Sequence, residues 1–317
     1  MIKILANDGL SNSGCDLLKG AGFHLDNICI PQDNLIAEIN KQKYDVLLVR
    51  SATYVTRELI DSCPSLKIIG RVGSSMENIA VAYAIEKGIK VISTPKDTAP
   101  SVAELVFAHI FSLSRNLFDS NRKMPKSDNF KQLKDSYCDG IEIVGKTIGI
   151  IGFGRIGQEV AKRALGLGMN VLASDPYVTE ANIHMDIQGT KGITVTVLTV
   201  PRDQVIRESN YITLHLPIPD DHDPVLTKKE FDMMKEGVII INASKGALID
   251  EGDLIDALDS GKVNRAGIDV FCNEPNPRKD LVTHEKVSVT PHVGAATHEA
   301  QERISITLAD EIIKFFK

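Results

Sequence analysis

The chain has 317 residues, of which 43% are hydrophobic and 25% charged, and its 36 basic and 42 acidic residues give a formal net charge of −6. The length favours two domains, because a single hydrophobic core seldom serves more than about 250–300 residues. The composition is ordinary for a soluble globular protein, and the acidic balance argues against a nucleic-acid partner.

The amino terminus becomes polar at residues 7–9, after an apolar run too short for a signal peptide or a membrane span. The five cysteines are an odd number and contain no CxxC pair, which argues against a disulfide framework and against a zinc site. We therefore expect a cytoplasmic protein with no membrane partner and no metal.

Short apolar runs alternate with helix-length stretches in two series along the chain. Buried parallel strands of the first series are predicted at residues 2–6, 46–49, 67–69 and 90–92. Strands of the second series are predicted at residues 147–151, 170–173, 211–214, 237–242, 265–269 and 286–290, separated by helices such as 156–166 and 251–260. Each series is typical of an α/β domain with a parallel sheet.

Three segments outside these series have their own interpretation. Residues 101 to about 121 are predicted to form one long helix that bridges domains or subunits. The polar segment 124–140 is interpreted as a surface loop or a short helix. The amphipathic segment 297–317 follows the last strand and favours a return of the chain to the first domain.

A glycine-rich turn lies between a predicted strand and a predicted helix. Gly152, Gly154 and Gly157 form a GxGxxG pattern, which is weak evidence alone but strong in this context. The glycines permit a tight turn, close approach of a pyrophosphate and close packing of helix on strand. Asp175 follows the next strand, where a carboxylate accepts hydrogen bonds from a ribose and repels a 2′-phosphate. NAD is therefore favoured over NADP, the alternative being a glycine turn with an unrelated aspartate.

From Val49 to Ala295 the chain resembles the D-isomer-specific 2-hydroxyacid dehydrogenases, most closely their phosphoglycerate dehydrogenase branch. The resemblance rests on the glycine fingerprint and on motifs at 49–53, 101–104, 242–246, 250–251, 269–271, 274–275 and 291–295.

The resemblance implies an α/β fold of two domains with parallel sheets. A flavodoxin-like substrate-binding domain would comprise residues 1–96 and 296–317, and a Rossmann NAD-binding domain, residues 97–295, would be inserted into it. The substrate is expected in the cleft between them, and a homodimer is expected. The chain ends about where the shared catalytic core ends, so feedback by serine through an added regulatory domain is not expected.

Oxidising a 2-hydroxy acid requires a base for the hydroxyl proton. His292 matches the acid/base histidine of the family, and Glu274 matches the carboxylate that orients it, whereas without the family a histidine in such a turn is more often structural. Asp269 matches the residue that binds the nicotinamide amide, with a loop cap as its alternative. The other histidines, His109 among them, are interpreted as structural or surface groups, except His215, which the resemblance places near the adenosine. The predicted cofactor-binding residues are Gly152, Gly154, Arg155, Ile156, Gly157, Asp175, His215, Pro217, Ala243, Ser244, Asp269, His292, Gly294 and Ala295.

Cationic groups and backbone donors follow two predicted strands of the first domain. Arg50 and Ser51 follow one strand, and Arg71, Val72 and Gly73 follow the next. Because these groups converge at one sheet edge, they are predicted to bind a small anionic 2-hydroxy acid.

Lys245 stands where the family has an arginine that grips the substrate carboxylate and carbonyl. Lysine keeps the charge but cannot make two parallel hydrogen bonds, so we predict weakened catalysis. Ser75 and Glu77 also depart from the family pattern, which has Gly and Asp there. The sequence thus favours a D-3-phosphoglycerate dehydrogenase of serine biosynthesis, with another D-2-hydroxyacid dehydrogenase, a glyoxylate or 2-oxoacid reductase, or an NAD-binding non-catalytic homologue as alternatives.

Overall fold

The computed structural model describes residues 1–73, 75–219 and 222–317. These residues form two compact units, Met1–Ser101 with Ala295–Lys317, and Val102–Gly294. The sequence placed the boundaries at 96/97 and 295/296. The observed boundary between Ser101 and Val102 falls inside the helix Ala99–Ser114, so no linker marks it.

The described residues of the first unit contain one parallel five-stranded sheet in the order β2-β1-β3-β4-β5. Its strands are β1 (Lys3–Ala6), β2 (His24–Asp26), β3 (Val46–Val49), β4 (Ile68–Arg71) and β5 (Lys90–Ile92). Its helices are α1 (Asn12–Gly20), α2 (Gln32–Gln42), α3 (Arg57–Ser62), α4 (Val81–Glu86) and α13 (His298–Phe316). This strand order is flavodoxin-like, which confirms the predicted fold class. The short strand β2 was missed from the sequence.

Both faces of this sheet are covered by apolar side chains. In β3, Val46 and Leu48 join one apolar cluster, whereas Leu47 and Val49 join another. Because side chains alternate between faces along a strand, an unbroken apolar run marks a strand that is buried on both sides. The predicted carboxy-terminal helix is present as α13, which buries an apolar stripe in the first of these clusters.

The second unit is built on a parallel sheet in the order β13-β12-β11-β10-β6-β7. The strands of this unit are β6 (Thr147–Ile151), β7 (Asn170–Ser174), β8 (Glu180–Met185), β9 (Ile193–Leu198), β10 (Tyr211–Leu214), β11 (Val238–Asn242), β12 (Val263–Ile268) and β13 (Val287–Val289). Its helices include α5 (Ala99–Ser114), α6 (Leu117–Lys123), α7 (Phe130–Ser136), α8 (Arg155–Gly166), α9 (Arg202–Glu208), α10 (Lys228–Met233), α11 (Glu251–Ser260) and α12 (Lys279–Thr283). The order in which strands are added reverses between β6 and β10, since β7 lies on one side of β6 and the later strands lie on the other. Ligands of such sheets bind at the carboxyl ends of the strands at this point.

An antiparallel hairpin of β8 and β9 follows β7, and the sequence did not predict it. A parallel bridge between Ala173 and Thr199 joins the hairpin to the edge of the sheet. The hairpin therefore stands where a further parallel strand would extend the Rossmann order.

The single long helix predicted over residues 101–121 is wrong in its carboxy-terminal third. α5 ends at Ser114, and α6 begins at Leu117 after Asn116, whose φ of 56° lies in the left-handed region that ends a helix. The interpretation of segment 124–140 as a surface loop or short helix is confirmed, since α7 lies there with no buried residue.

Across residues 1–73, 75–219 and 222–317, each helix is too short or too polar to span a bilayer. The same ranges hold no cluster of three or more His, Cys, Asp or Glu side chains arranged to bind a metal ion.

Candidate active site

The glycine turn after β6 leaves no room for side chains at two of its positions. Gly152 has a φ of 96°, and a Cβ there would collide with the carbonyl oxygen of His215. A Cβ at Gly157 would collide with the carbonyl oxygen of Gly152. At Gly154, by contrast, a Cβ would meet only open space. The turn is therefore tight on its inner side and open on its outer side.

The open side of the turn is the amino-terminal end of α8. Gly154 is the residue before α8, and Arg155 and Ile156 begin the helix. The first backbone N–H groups of a helix have no partner within it and carry a partial positive charge. An anionic group of a ligand is stabilised at this position.

The carboxylate of Asp175 is fixed against the same turn. Its Oδ2 accepts a hydrogen bond from the backbone N–H of Phe153 at 2.8 Å. Its Oδ1 accepts from the N–H groups of Tyr177 at 2.8 Å and Val178 at 3.1 Å. The structure thus holds a negative charge beside the glycine turn, at the end of β7.

His215 and Pro217 follow β10, and Ala243 and Ser244 follow β11, at the carboxyl edge of the sheet. The Oγ of Ser244 donates to the carbonyl oxygen of Leu216 at 2.9 Å, which links the two strand ends. This places four of the predicted cofactor residues at the end of the sheet where the glycine turn also lies.

The ring of His215 is held neutral. Burial lowers its pKa to about 3. Its Nε2 lies 3.0 Å from the hydroxyl of Thr213, whereas its Nδ1 is buried and has no hydrogen-bond partner among the described residues. A buried, neutral ring does not suit proton transfer, and the contact of His215 with the adenosine stays a prediction.

The two residues predicted as the acid/base pair are in contact. His292 Nδ1 lies 2.7 Å from Glu274 Oε2, and the other carboxylate oxygen accepts from the N–H of Phe271 at 3.0 Å. Because the carboxylate only accepts, Nδ1 is the donor and Nε2 is left as the acceptor. Half of the His292 side chain is exposed.

Asp269 caps the turn that carries His292. Its carboxylate is buried and accepts from the hydroxyl of Thr290 at 2.6 Å and from the N–H groups of Val293 and Gly294 at 2.9 Å. The carbonyl oxygen of Asp269 accepts from the N–H of His292 at 2.8 Å. The loop-cap alternative is therefore what the contacts show, and the nicotinamide contact stays a prediction. Ala295, another of the predicted cofactor-binding residues, is the first residue of the second segment of the first unit.

Lys245 lies in a short turn after β11 that a buried asparagine organises. The Asn242 side chain donates to the carbonyl oxygen of Lys245 at 2.8 Å and accepts from the N–H of Ser244 at 3.1 Å. The carbonyl oxygen of Asn242 accepts from the N–H of Asp269, which directly follows the neighbouring strand β12. No role was predicted for Asn242 from the sequence, although its position at the strand end was the available signal.

The first unit carries a separate cationic region at the ends of β3 and β4. Arg50 and Ser51 line a concavity of about 500 Å³ together with Asp8 and Cys29. Arg71 is nine-tenths buried, and the Nε atoms of both arginines are buried without a partner among the described residues.

Asp8 balances this charge and was missed from the sequence. Its Oδ2 accepts from the backbone N–H of Arg50 at 2.6 Å, and its Oδ1 accepts from the Thr53 hydroxyl at 2.8 Å. Burial lowers the pKa of the Arg50 and Arg71 guanidinium groups, and the charge of Asp8 opposes this shift. The region is thus prepared for an anion.

The loop after β4 is described except for Ser74. Val72 is buried, and Gly73 has a φ of 143° in the region that favours glycine. Ser75 and Glu77, which depart from the family pattern, lie within the described residues.

Comparison with known proteins identifies the family. The model of the D-isomer specific 2-hydroxyacid dehydrogenase, NAD binding domain, matches residues 107–294. The chain belongs to this family. It is 38% identical to the hydroxypyruvate reductase of Thermotoga maritima over 98% of this chain and 97% of that protein.

One further relative and one solved structure are also similar to this 2-hydroxyacid dehydrogenase. It is 38% identical to the D-3-phosphoglycerate dehydrogenase of Bacillus subtilis over 100% of this chain and 57% of that protein, so it spans little more than half of that relative. Its fold matches the NAD-dependent formate dehydrogenase from Staphylococcus aureus in complex with NAD, with a TM-score of 0.77, 26% identity and coverage of 99% and 96% of the two chains.

NAD is the cofactor of this dehydrogenase, and the residues present fit it. The cradle at Gly152 and Gly157, the open helix end at Gly154 and the fixed carboxylate of Asp175 are the features that a dinucleotide with a free ribose requires. When bound, NAD supplies the acceptor for a hydride.

Proposed function

We propose that this dehydrogenase catalyses reversible hydride transfer at C2 of a small anionic D-2-hydroxy acid, with D-3-phosphoglycerate as its substrate. The observation that carries the proposal is the 2.7 Å hydrogen bond between Glu274 and His292, in the unit that also carries the glycine turn and Asp175. A histidine oriented by a carboxylate is the arrangement that removes a hydroxyl proton near neutral pH.

In this proposal His292 accepts the proton of the substrate hydroxyl at Nε2 as the hydride leaves C2. Glu274 keeps the proton on Nδ1 and stabilises the imidazolium that forms. Lys245 supplies a positive charge toward the substrate carboxylate and toward the oxygen that becomes a carbonyl. In the reverse direction the imidazolium returns the proton.

Recognition of the phosphate is attributed to the first unit. Arg50 and Arg71 are two cations with buried Nε atoms, and the backbone at Ser51, Val72 and Gly73 offers further donors. Arginine forks match phosphate and carboxylate oxygens better than other side chains do. The D-3-phosphoglycerate dehydrogenases among the relatives support this substrate.

A second candidate is reduction of an unphosphorylated 2-oxo acid such as hydroxypyruvate or glyoxylate. Two observations favour it: the relative named hydroxypyruvate reductase is matched over nearly its whole length, and Lys245 replaces the family arginine. An NAD-binding homologue without catalysis is the third possibility.

A panel of D-2-hydroxy acids and 2-oxo acids, followed by NADH absorbance, tests the proposal. We expect turnover, with 3-phosphoglycerate giving the highest kcat/KM among the hydroxy acids. His292→Gln serves as the control and is expected to abolish turnover while NADH still binds. Binding of NADH without turnover of any compound would establish the non-catalytic homologue instead.

We also propose that the enzyme is a cytoplasmic homodimer. Family resemblance supports the dimer, and light scattering on the purified protein measures it directly. The five cysteines are free thiols, which fits a reducing compartment. A monomer at micromolar concentration would contradict the assembly.

A further inference from the structure

His109 of α5 is a polar ring in an otherwise apolar helix face. It is 3% exposed and lies among the buried residues Val106, Ile110 and Leu113. Gly267 of β12 makes room for it, since a Cβ there would lie 2.8 Å from the Cβ of His109. A buried imidazole at such a position requires partners for both nitrogens.

Each ring nitrogen of His109 has a hydrogen-bond partner. Nδ1 lies 3.2 Å from the hydroxyl of Ser288, and Nε2 lies 3.1 Å from the hydroxyl of Thr290. Thr290 has one proton to donate, and the carboxylate of Asp269 accepts it at 2.6 Å. Toward His109 the Thr290 oxygen therefore accepts, so Nε2 carries a proton.

The remaining ring nitrogen accepts. Burial lowers the pKa of His109, so the ring is neutral and its one proton is on Nε2. Nδ1 then accepts from the Ser288 hydroxyl. The result is a directed series of hydrogen bonds from His109 through Thr290 to Asp269.

This series ends on the turn of the acid/base histidine. Asp269 holds the N–H groups of Val293 and Gly294 with its carboxylate and that of His292 with its carbonyl oxygen. His292 has a φ of 53°, a left-handed conformation that a residue other than glycine keeps only where its surroundings enforce it.

We propose that His109 is a positioning residue, acting through Thr290 and Asp269 to hold the turn that aims His292 at its substrate. The inference rests on the proposed acid/base role of His292. In this proposal the buried face of α5 helps to orient His292, although His109 touches neither substrate nor cofactor.

His109→Phe and His109→Gln separate positioning from packing. Phe keeps a planar ring without donors, whereas the Gln side chain offers an N–H near the place of Nε2. We expect Phe to lower kcat about tenfold with KM for NAD within about twofold, because small misplacements of a reacting group are costly. We expect Gln to recover most of this loss.

Thr290→Val tests the next step of the series. If His109 acts through Thr290, the double variant H109F/T290V loses no more kcat than T290V alone. Additive losses would overturn the relay. T290V also keeps the proposal falsifiable if H109F does not fold, since a folded T290V with wild-type kcat would overturn it.

Tyr211→Phe is the matched control, because it removes another buried hydrogen bond of α5, between the hydroxyls of Tyr211 and Ser114 at 2.9 Å. We expect it to lower Tm without changing kcat. The ¹⁵N chemical shifts of the His292 ring give a readout that needs no turnover. We expect them to change in H109F and T290V but not in Y211F, and unchanged shifts in all three would overturn the inference. Absence of turnover in the wild type would defeat the proposed function while leaving this readout intact.

Discussion

Lys245 presents a single ammonium group where the family pattern has a planar fork. An ammonium is a point donor on a flexible stem, so it cannot hold a carboxylate and a carbonyl oxygen in two parallel hydrogen bonds. We expect Lys245→Arg to raise kcat/KM for 3-phosphoglycerate about 10- to 100-fold, since one charge-assisted hydrogen bond contributes about 1.5–3 kcal/mol.

The control for this change is Lys245→Gln, which removes the charge and is expected to lower kcat/KM. Both variants should bind NADH as the wild type does, measured by fluorescence titration. An arginine variant that is slower than the wild type would show that the lysine suits the true substrate.

Asp175 makes a second prediction at the scale of single residues. Asp175→Asn keeps an acceptor for the N–H of Phe153 but removes the negative charge that repels a 2′-phosphate. We expect the ratio of kcat/KM for NAD to that for NADP to fall at least about tenfold, the equivalent of about 1.4 kcal/mol. A ratio unchanged within twofold would mean that another group sets the cofactor preference.

The residues of the proposed site that lie in local motifs could be predicted from the sequence. Those whose role depends on contacts between residues far apart in the chain could not. The glycine turn and Asp175 are spaced along one βαβ unit, so their proximity could be predicted. His109 and Thr290 are separated by 181 positions, and no spacing rule connects them. Asp8 was missed for the same reason, because its partners Arg50 and Thr53 lie in the loop that follows another strand, β3.

At the scale of elements, periodicity predicted the long buried strands and failed where elements are short or interrupted. β3 is apolar throughout and was predicted at its observed bounds. The break at Asn116 has no proline or glycine to signal it, because asparagine enters the left-handed region that separates α5 from α6. Each strand of the β8–β9 hairpin has one buried residue among exposed or partly exposed ones, so its pattern is weak.

The contact of α1 with α13 carries a prediction about stability. A Cβ at Gly14 would lie 2.7 Å from the Cβ of Ser305, so Gly14→Ala forces the two helices apart. We expect a loss of about 1–3 kcal/mol, as for other overpacked sites, measured by urea unfolding.

Gly20 provides the matched control in the same helix. An alanine Cβ there meets nothing within 4 Å, so Gly20→Ala should be neutral or stabilise by up to about 1 kcal/mol. Equal effects of the two substitutions would contradict close packing of α1 on α13.

At the scale of the whole molecule, His215 predicts how stability depends on pH. Its pKa is about 3 in the folded protein, against an ordinary value of 6.5. Below pH 6.5 the unfolded chain therefore takes up a proton that the folded ring does not. The free energy of unfolding is expected to fall by about 2 kcal/mol from this group between pH 7.5 and pH 5.

Urea unfolding of His215→Gln at pH 7.5, 6 and 5 checks this, with the exposed His24→Gln as the control. We expect the His215 variant to lose less stability on acidification than the wild type does. His109 acts in the same direction, because burial lowers its pKa as well. Parallel pH dependences of variant and wild type would contradict the assignment.

The identity of the substrate is the central claim about the whole molecule. An assay of the reductive reaction tests it most directly. The measurement is kcat/KM with NADH for 3-phosphohydroxypyruvate, the 2-oxo acid formed from 3-phosphoglycerate, against hydroxypyruvate. Because Arg50 and Arg71 are attributed to the phosphate, we expect the phosphorylated compound to be preferred by at least about tenfold. A preference for hydroxypyruvate, or no consumption of NADH with either compound, would contradict the account.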